Sequence, residues 1–173
     1  MFVLGIDPGL SRCGYGCVSG GDGPERAVAA GVLTTDVSET VPRRLATLRS
    51  DLVALIAELS PQVVVVERVL FQTNARTAMS VGQASGVALL TAAEAGLPVV
   101  EYSSNEVKLA IAGYGGATKA QVQDMVARLL HLREIPRPPD AADALALAIC
   151  HLAASRTDGR TRVTLAAAGI EPR

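Results

Sequence analysis

The chain has 173 residues, 49% of them hydrophobic but only 3% aromatic, and a formal net charge of -1. That length fits one domain whose core Val, Leu, Ile and Ala must fill, and the near-neutral charge excludes a globally basic nucleic-acid binder, so such a partner must be met by a local patch. No apolar run approaches the roughly 18 residues of a membrane helix, and three cysteines without a secretory leader fit a reducing, cytoplasmic setting better than a disulfide framework.

The first element is a buried strand, about residues 2–7, that runs in "MFVLGIDPGLSRCGYG" straight into Asp7. Pro8 keeps Asp7 extended, and Gly9 permits a sharp turn before a second strand over about 13–19. A carboxylate in that position can hold a metal ion or simply cap the turn. Cys13 and Cys17 share a strand face with no Cys or His pair beside them and read as small core residues. The turn cluster "SGGDGPE" leads into a third strand, about 26–35, antiparallel to the second. Leu45, Leu48, Leu52, Leu55, Ile56 and Leu59 recur at helical spacing behind Pro42, and Pro61 ends that helix. "QVVVVE" is too uniformly apolar for an exposed face, as in a parallel strand covered on both sides. A second helix over about 74–95 and a fifth strand, "LPVVEY", follow. Two short helices then open with capping boxes at Ser103 and Thr118, on either side of a flexible Gly113–Gly116 loop. "IPRPP" breaks the chain before a last helix from Asp140 to about Ser155. Residues 156–173 carry no amphipathic pattern and are expected to form a flexible tail behind a single domain of residues 1–155.

Three antiparallel strands, a helix, a parallel strand, a helix and another strand describe an α/β fold, a five-stranded mixed sheet flanked by helices. With a right-handed crossover the fourth strand lies beside the first in parallel, which is the ribonuclease H-like arrangement. Asp7 and Glu67 then close neighbouring strands. Each alone could be a polar strand end, but side by side they repel, at a cost that a cation between them removes. Asp140 and Asp143, three apart on the last helix, share a face, in a first turn that also favours acids through the helix dipole. Four carboxylates on three elements make a hard oxygen donor set suited to Mg²⁺ or Mn²⁺, and the lack of Cys and His among them counts against zinc. Such a cluster points to two-metal hydrolysis of a phosphodiester. His131 and His151 lie outside it and read as structural or surface residues.

"GIDPGLSRCGYG", "VVVVERVLFQTNARTAMSVGQASGVAL", "EYSSNEVKLAIAGYGGATKAQVQDMV" and "DAADALALAICH" stand in the order and spacing of the RuvC family of Holliday-junction resolvases, which the chain resembles over about residues 1–155. The resemblance implies that Asp7, Glu67, Asp140 and Asp143 are catalytic and hold Mg²⁺, two ions per site with Mn²⁺ able to substitute. It places Lys108 and Lys119 near the scissile strand. It also implies a homodimer on four-way junction DNA that nicks two strands of like polarity symmetrically, leaves 5′-phosphate and 3′-hydroxyl ends, and works with RuvA and RuvB. One position departs from the family: where a phenylalanine commonly follows the glutamate by three residues, Leu70 stands, with Phe71 one place later. Phe71 and Leu70 are candidates to stack or wedge at the junction, and Arg68 and Arg76 to form a phosphate rim. Three alternatives stay open: another ribonuclease H-like nuclease acting on RNA or linear DNA, a non-cleaving branched-DNA binder, and an actin-like ATPase, for which the chain has length for only one lobe. The helix "NARTAMSVGQASGVALL" puts Ala75, Ala78, Gly82, Ser85 and Gly86 along or near one face. Close packing against a second copy, or against the chain's own sheet, would explain its two glycines.

Overall fold

Alternation along each strand decides which side of the sheet a residue serves, and the strands here alternate between two distinct apolar sets. The computed structural model describes the backbone at residues 1–21, 23–69 and 75–167, and the side chains there except at 75–77 and 157–167. Strands β1 (Phe2–Asp7), β2 (Arg12–Ser19) and β3 (Arg26–Thr34) form an antiparallel meander, with an irregularity between Cys17 and Val18. β4 (Val63–Glu67) and β5 (Val99–Tyr102) add in parallel on the other side of β1, giving the order β3-β2-β1-β4-β5. The expected fold class and the adjacency of the first and fourth strands are therefore what the chain adopts.

On one face, Leu4, Ile6, Cys13, Cys17, Val64 and Val66 meet α1 (Val41–Leu59) and α2 (Ala75–Glu94) through Leu48, Leu52, Leu55, Ala84, Ala88 and Ala92. On the other, Val3, Val18, Val63 and Val65 meet α3 (Ser104–Ala112), α4 (Lys119–Leu129) and α5 (Pro139–Ala167). Val63 to Val66 are buried on both faces, as the unbroken valine run predicts. Both expected capping boxes form, Ser103 with Glu106 and Thr118 with Gln121. Pro42 sits in the first turn of α1, and the helix ends at Leu59, where Ser60 turns left-handed one residue before Pro61.

Two expectations about the last helix are corrected. It begins at Pro139, one residue before the expected start at Asp140. It also continues to Ala167, twelve residues beyond Ser155. Residues 156–173 carry no amphipathic stripe, but once a helix is nucleated each added residue needs only its own backbone bond to prolong it. Leu70 and Phe71, between β4 and α2, lie outside the described residues, as does the side chain of Arg76. Among the described residues no helix is long and apolar enough to cross a membrane.

Helix α5 lies on the sheet with almost nothing between the two backbones. Gly5 pairs with Gly16, and Gly14 pairs with Asp7, so three glycines form one patch on the face that α5 covers. A Cβ at Gly16 would stand 2.6 Å from the Leu145 nitrogen, and one at Gly14 would stand 2.7 Å from the Asp140 carbonyl carbon. The same addition at Gly5 would overlap the Ala144 carbonyl. Alternate glycines in a strand interior weaken it locally, and close approach of another backbone is the usual reason to keep them.

Candidate active site

Asp7 ends β1 and Glu67 ends β4, and the parallel register that pairs Ile6 with Val66 leaves these two carboxyl groups side by side at the carboxyl end of the sheet. They share the face of Val3, Gly5, Val63 and Val65, the face that α5 covers, so Asp143 descends on them from the helix above. Asp7, Glu67 and Asp143 line one cavity of about 300 Å³, together with Lys108, Lys119 and Ser104. Five elements thus converge there: the ends of β1 and β4, the body of α3, the first turn of α4 and the N-terminal part of α5.

The electrostatics record the crowding. Burial, then the charges of Glu67 and Asp143, push the Asp7 carboxyl up to about 7, with a hydrogen bond to Glu67 and the Asp140 charge adding to the effect. Glu67 is raised too, by burial first, although its hydrogen bond with Asp7 and the charges of Lys119 and Lys108 pull the other way. This is the pattern of two buried carboxyls competing for one negative charge. Lys119 bonds Asp143 at 2.5 Å. Burial alone would lower its ammonium, but Asp143, and more weakly Asp7 and Asp140, hold it above its ordinary value.

Asp140 stands beside the cavity rather than in it. The Nε and Nη2 of Arg12 both donate to its Oδ2, at 3.1 and 2.8 Å. Arg12, the first residue of β2, was not singled out in the sequence; its one signal there is its place next to the strand that faces α5. Arg68, a candidate for the phosphate rim, donates to the Glu101 carbonyl and stands 3.9 Å from Glu106. His151 hydrogen-bonds Tyr102 through Nδ1 and Ser155 through Nε2, a packing role away from the carboxylates.

With Arg12 and Lys119 balancing two of the acids, no three His, Cys, Asp or Glu side chains among the described residues are drawn close enough to share an ion. The donor chemistry nevertheless fits a hard divalent cation. The lining acids offer only carboxylate oxygen, and Asp7 carries an uncompensated like-charge burden that a cation relieves.

That burden has a measurable consequence. Asp7 holds a proton up to about 7 in the folded protein, whereas an unfolded chain releases it near the ordinary aspartate value of 3.8. Its contribution to stability is therefore full below about pH 4 and is lost as pH rises through about 7. Thermal melts in chelator should show Tm falling from pH 5 to pH 8, and Asp7→Asn should flatten the slope. An equal slope in the variant would place that proton elsewhere.

Known proteins resemble the chain in sequence and in fold. The sequence profile of the family described as crossover junction endodeoxyribonuclease RuvC matches residues 3–151. A crossover junction endodeoxyribonuclease RuvC of Salinispora arenicola is 54% identical over 100% of this chain and 97% of its own length. That of Moorella thermoacetica is 51% identical over 87% of this chain and 90% of its own. The structure of Thermus thermophilus RuvC in complex with Holliday junction substrate superposes with a TM-score of 0.86, at 37% identity, covering 91% of this chain and 96% of that one.

Proposed function

The chain belongs to the RuvC family of crossover junction endodeoxyribonucleases, and from that premise we propose how its site resolves four-way DNA junctions. It is a Holliday-junction resolvase, an endonuclease of recombination and repair. The observation that carries the mechanism is the meeting of Asp7, Glu67 and Asp143 with Lys108 and Lys119 in one cavity.

Asp7, Glu67, Asp140 and Asp143 are the residues that would hold Mg²⁺ or Mn²⁺, two ions per site, and such ions supply a more acidic attacking water and neutralise charge at the leaving oxygen. The carboxylates at the β1 and β4 ends orient that water against phosphorus. Attack breaks the bond to the 3′ oxygen, which leaves protonated as a 3′-hydroxyl, while the phosphate stays on the 5′ side. Lys108 and Lys119 attract the backbone phosphate, the term that dominates affinity for nucleic acid. Lys119 balances Asp143 in the absence of substrate, so it holds the cavity's charge in check until a phosphate arrives. Phe71 and Leu70, on the stretch after Glu67, open the junction centre, and Arg76 contacts the backbone beyond it.

The direct test is nicking of a synthetic four-way junction beside a linear duplex of the same sequence. Cleavage should require Mg²⁺ or Mn²⁺, favour the junction strongly, and cut two strands of like polarity. Full activity after exhaustive chelation, or equal cutting of the duplex, would end this reading.

Paired cuts call for two sites, and α2 offers a surface for a second copy. Gly82 and Gly86 face open space, since a Cβ at either would meet nothing within 4 Å. Met79 and Leu90, at helical spacing from them, are exposed as well. Packing on the chain's own sheet therefore does not account for the glycines. Ser85, by contrast, is buried toward the core with Ala84 and does not belong to that outer face. A homodimer through α2 should appear in light scattering at micromolar concentration, with or without junction. A monomer under both conditions would count decisively against it. Such a dimer would act in the cytoplasm, with the branch-migration proteins RuvA and RuvB.

A further inference from the structure

We propose that Tyr114 is a second stacking platform for an unpaired nucleobase at the rim of the active site, a proposal that rests on the resolvase reading above. The protein holds only two phenylalanines, three tyrosines and no tryptophan. Among the described aromatics, Tyr15 packs against the core under α1 and α2, and Tyr102 rests tilted against His151. Phe2 opens β1, at the end of the sheet opposite Asp7. Tyr114, on the loop between the helices that carry Lys108 and Lys119, is 47% exposed.

Its loop is held where DNA must pass. Gly113 ends α3 in a left-handed conformation, with φ 81°, and turns the chain back. A Cβ at Gly115 would crowd the Asn105 side chain, 3.2 Å from Cγ. The loop therefore lies along the first turn of α3, next to Ser104, which lines the cavity. On its other side the loop enters α4, whose first residue, Lys119, bonds Asp143.

The ring is also fixed. The Tyr114 hydroxyl donates to Gln121 Oε1 at 2.8 Å, and the same oxygen accepts the Thr118 amide of the α4 capping box at 2.9 Å. A Cβ built at Gly116 would stand 3.6 Å from the Tyr114 ring, so the glycine keeps a side chain off that side of it. A rigid, half-exposed aromatic on the loop that joins the helices of Lys108 and Lys119 matches what sequence-tolerant binding of unpaired strands uses, a basic track with a π-face beside it. Resolution of a junction exposes such bases at the crossover.

The test titrates wild type, Tyr114→Phe and Tyr114→Ala in chelator, so that no strand is cut. The probes are a four-way junction carrying 2-aminopurine at its central positions and a linear duplex. Wild type and Tyr114→Phe should bind the junction within about twofold of each other and quench 2-aminopurine alike. Tyr114→Ala should bind roughly tenfold or more weakly and lose part of the quench, with Tm unchanged in all three. Equal binding and quench in Tyr114→Ala would overturn the proposal. So would a Tyr114→Phe that falls as far as Tyr114→Ala, since the hydroxyl bond to Gln121 and not the ring would then be the actor, or a loss of Tm in step with affinity. A wild type that does not prefer junction to duplex would instead sink the resolvase reading itself.

Discussion

Replacing Asp7 by asparagine is expected to lower strand cleavage by at least about a hundredfold while junction binding and fold survive. The amide has the shape of the carboxyl group, and its NH₂ can donate to Glu67, so the hydrogen bond between the two strand ends persists in another form. What disappears is an anionic oxygen at the point where three acid-bearing elements meet. Burial and the neighbouring acids already push Asp7 up to about 7, so removing its charge should raise the stability of the metal-free protein at pH 8. Loss of activity with a gain in Tm is a signature that simple misfolding cannot imitate. Glu67→Gln, Asp140→Asn and Asp143→Asn should lose cleavage in the same way, read by single-turnover nicking beside gel-shift binding. Asp143→Asn also releases Lys119 from its ion pair, so its junction affinity should rise slightly at low salt. A Glu67→Gln protein that still cuts at near the wild-type rate would remove Glu67 from the mechanism.

The carboxylate constellation was legible because each part had its own physical cause in the sequence. An all-valine run demands a strand covered on both faces, a right-handed crossover lays that strand beside the first, and two acids then close adjacent ends. The capping boxes at Ser103 and Thr118 located the two helices that carry Lys108 and Lys119, for the same reason: a cap is a local hydrogen bond between nearby residues. What could not be read was set by distant contacts. The ion pair of Arg12 with Asp140 joins residues 128 apart, and no local pattern marks it. The length of α5 was missed because its last turns continue a helix without needing a buried stripe. The outward turn of Gly82 and Gly86 could be told from inward packing only once the neighbours of α2 were placed. Alternate glycines in "RCGYGCVSG" were visible as residues, but which backbone they admit is a property of the assembled layers.

That glycine patch carries the second large effect. Gly14 pairs with Asp7 across β1 and β2, and at the same time faces the first turn of α5. It therefore sets the separation between the strand that holds Asp7 and the helix that holds Asp140 and Asp143. A methyl group there would stand 2.7 Å from the Asp140 carbonyl carbon and 3.0 Å from its Cβ. Both obstacles are fixed parts of the helix, so α5 or the sheet must give way by roughly an ångström, a displacement of the size that costs about a hundredfold when it moves catalytic groups. Gly14→Ala should accordingly cut slowly, at about a hundredth of the wild-type rate, with an overpacking penalty of about 1–3 kcal/mol in stability. Gly20→Ala provides the control. The atoms nearest its new Cβ are side-chain carbons of Leu152, both Cδ atoms at 2.8 Å, which can rotate aside, and α5 there is three turns past Asp140. It should keep near-normal cleavage even if its Tm falls. Raising the Mg²⁺ concentration should recover part of the Gly14→Ala rate, because the acids still exist but are spread, whereas it should do nothing for Gly20→Ala. If Gly14→Ala and Gly20→Ala lose activity only in proportion to lost stability, and Mg²⁺ rescues neither, then the patch serves packing alone and the height of α5 above Asp7 is not what sets the rate.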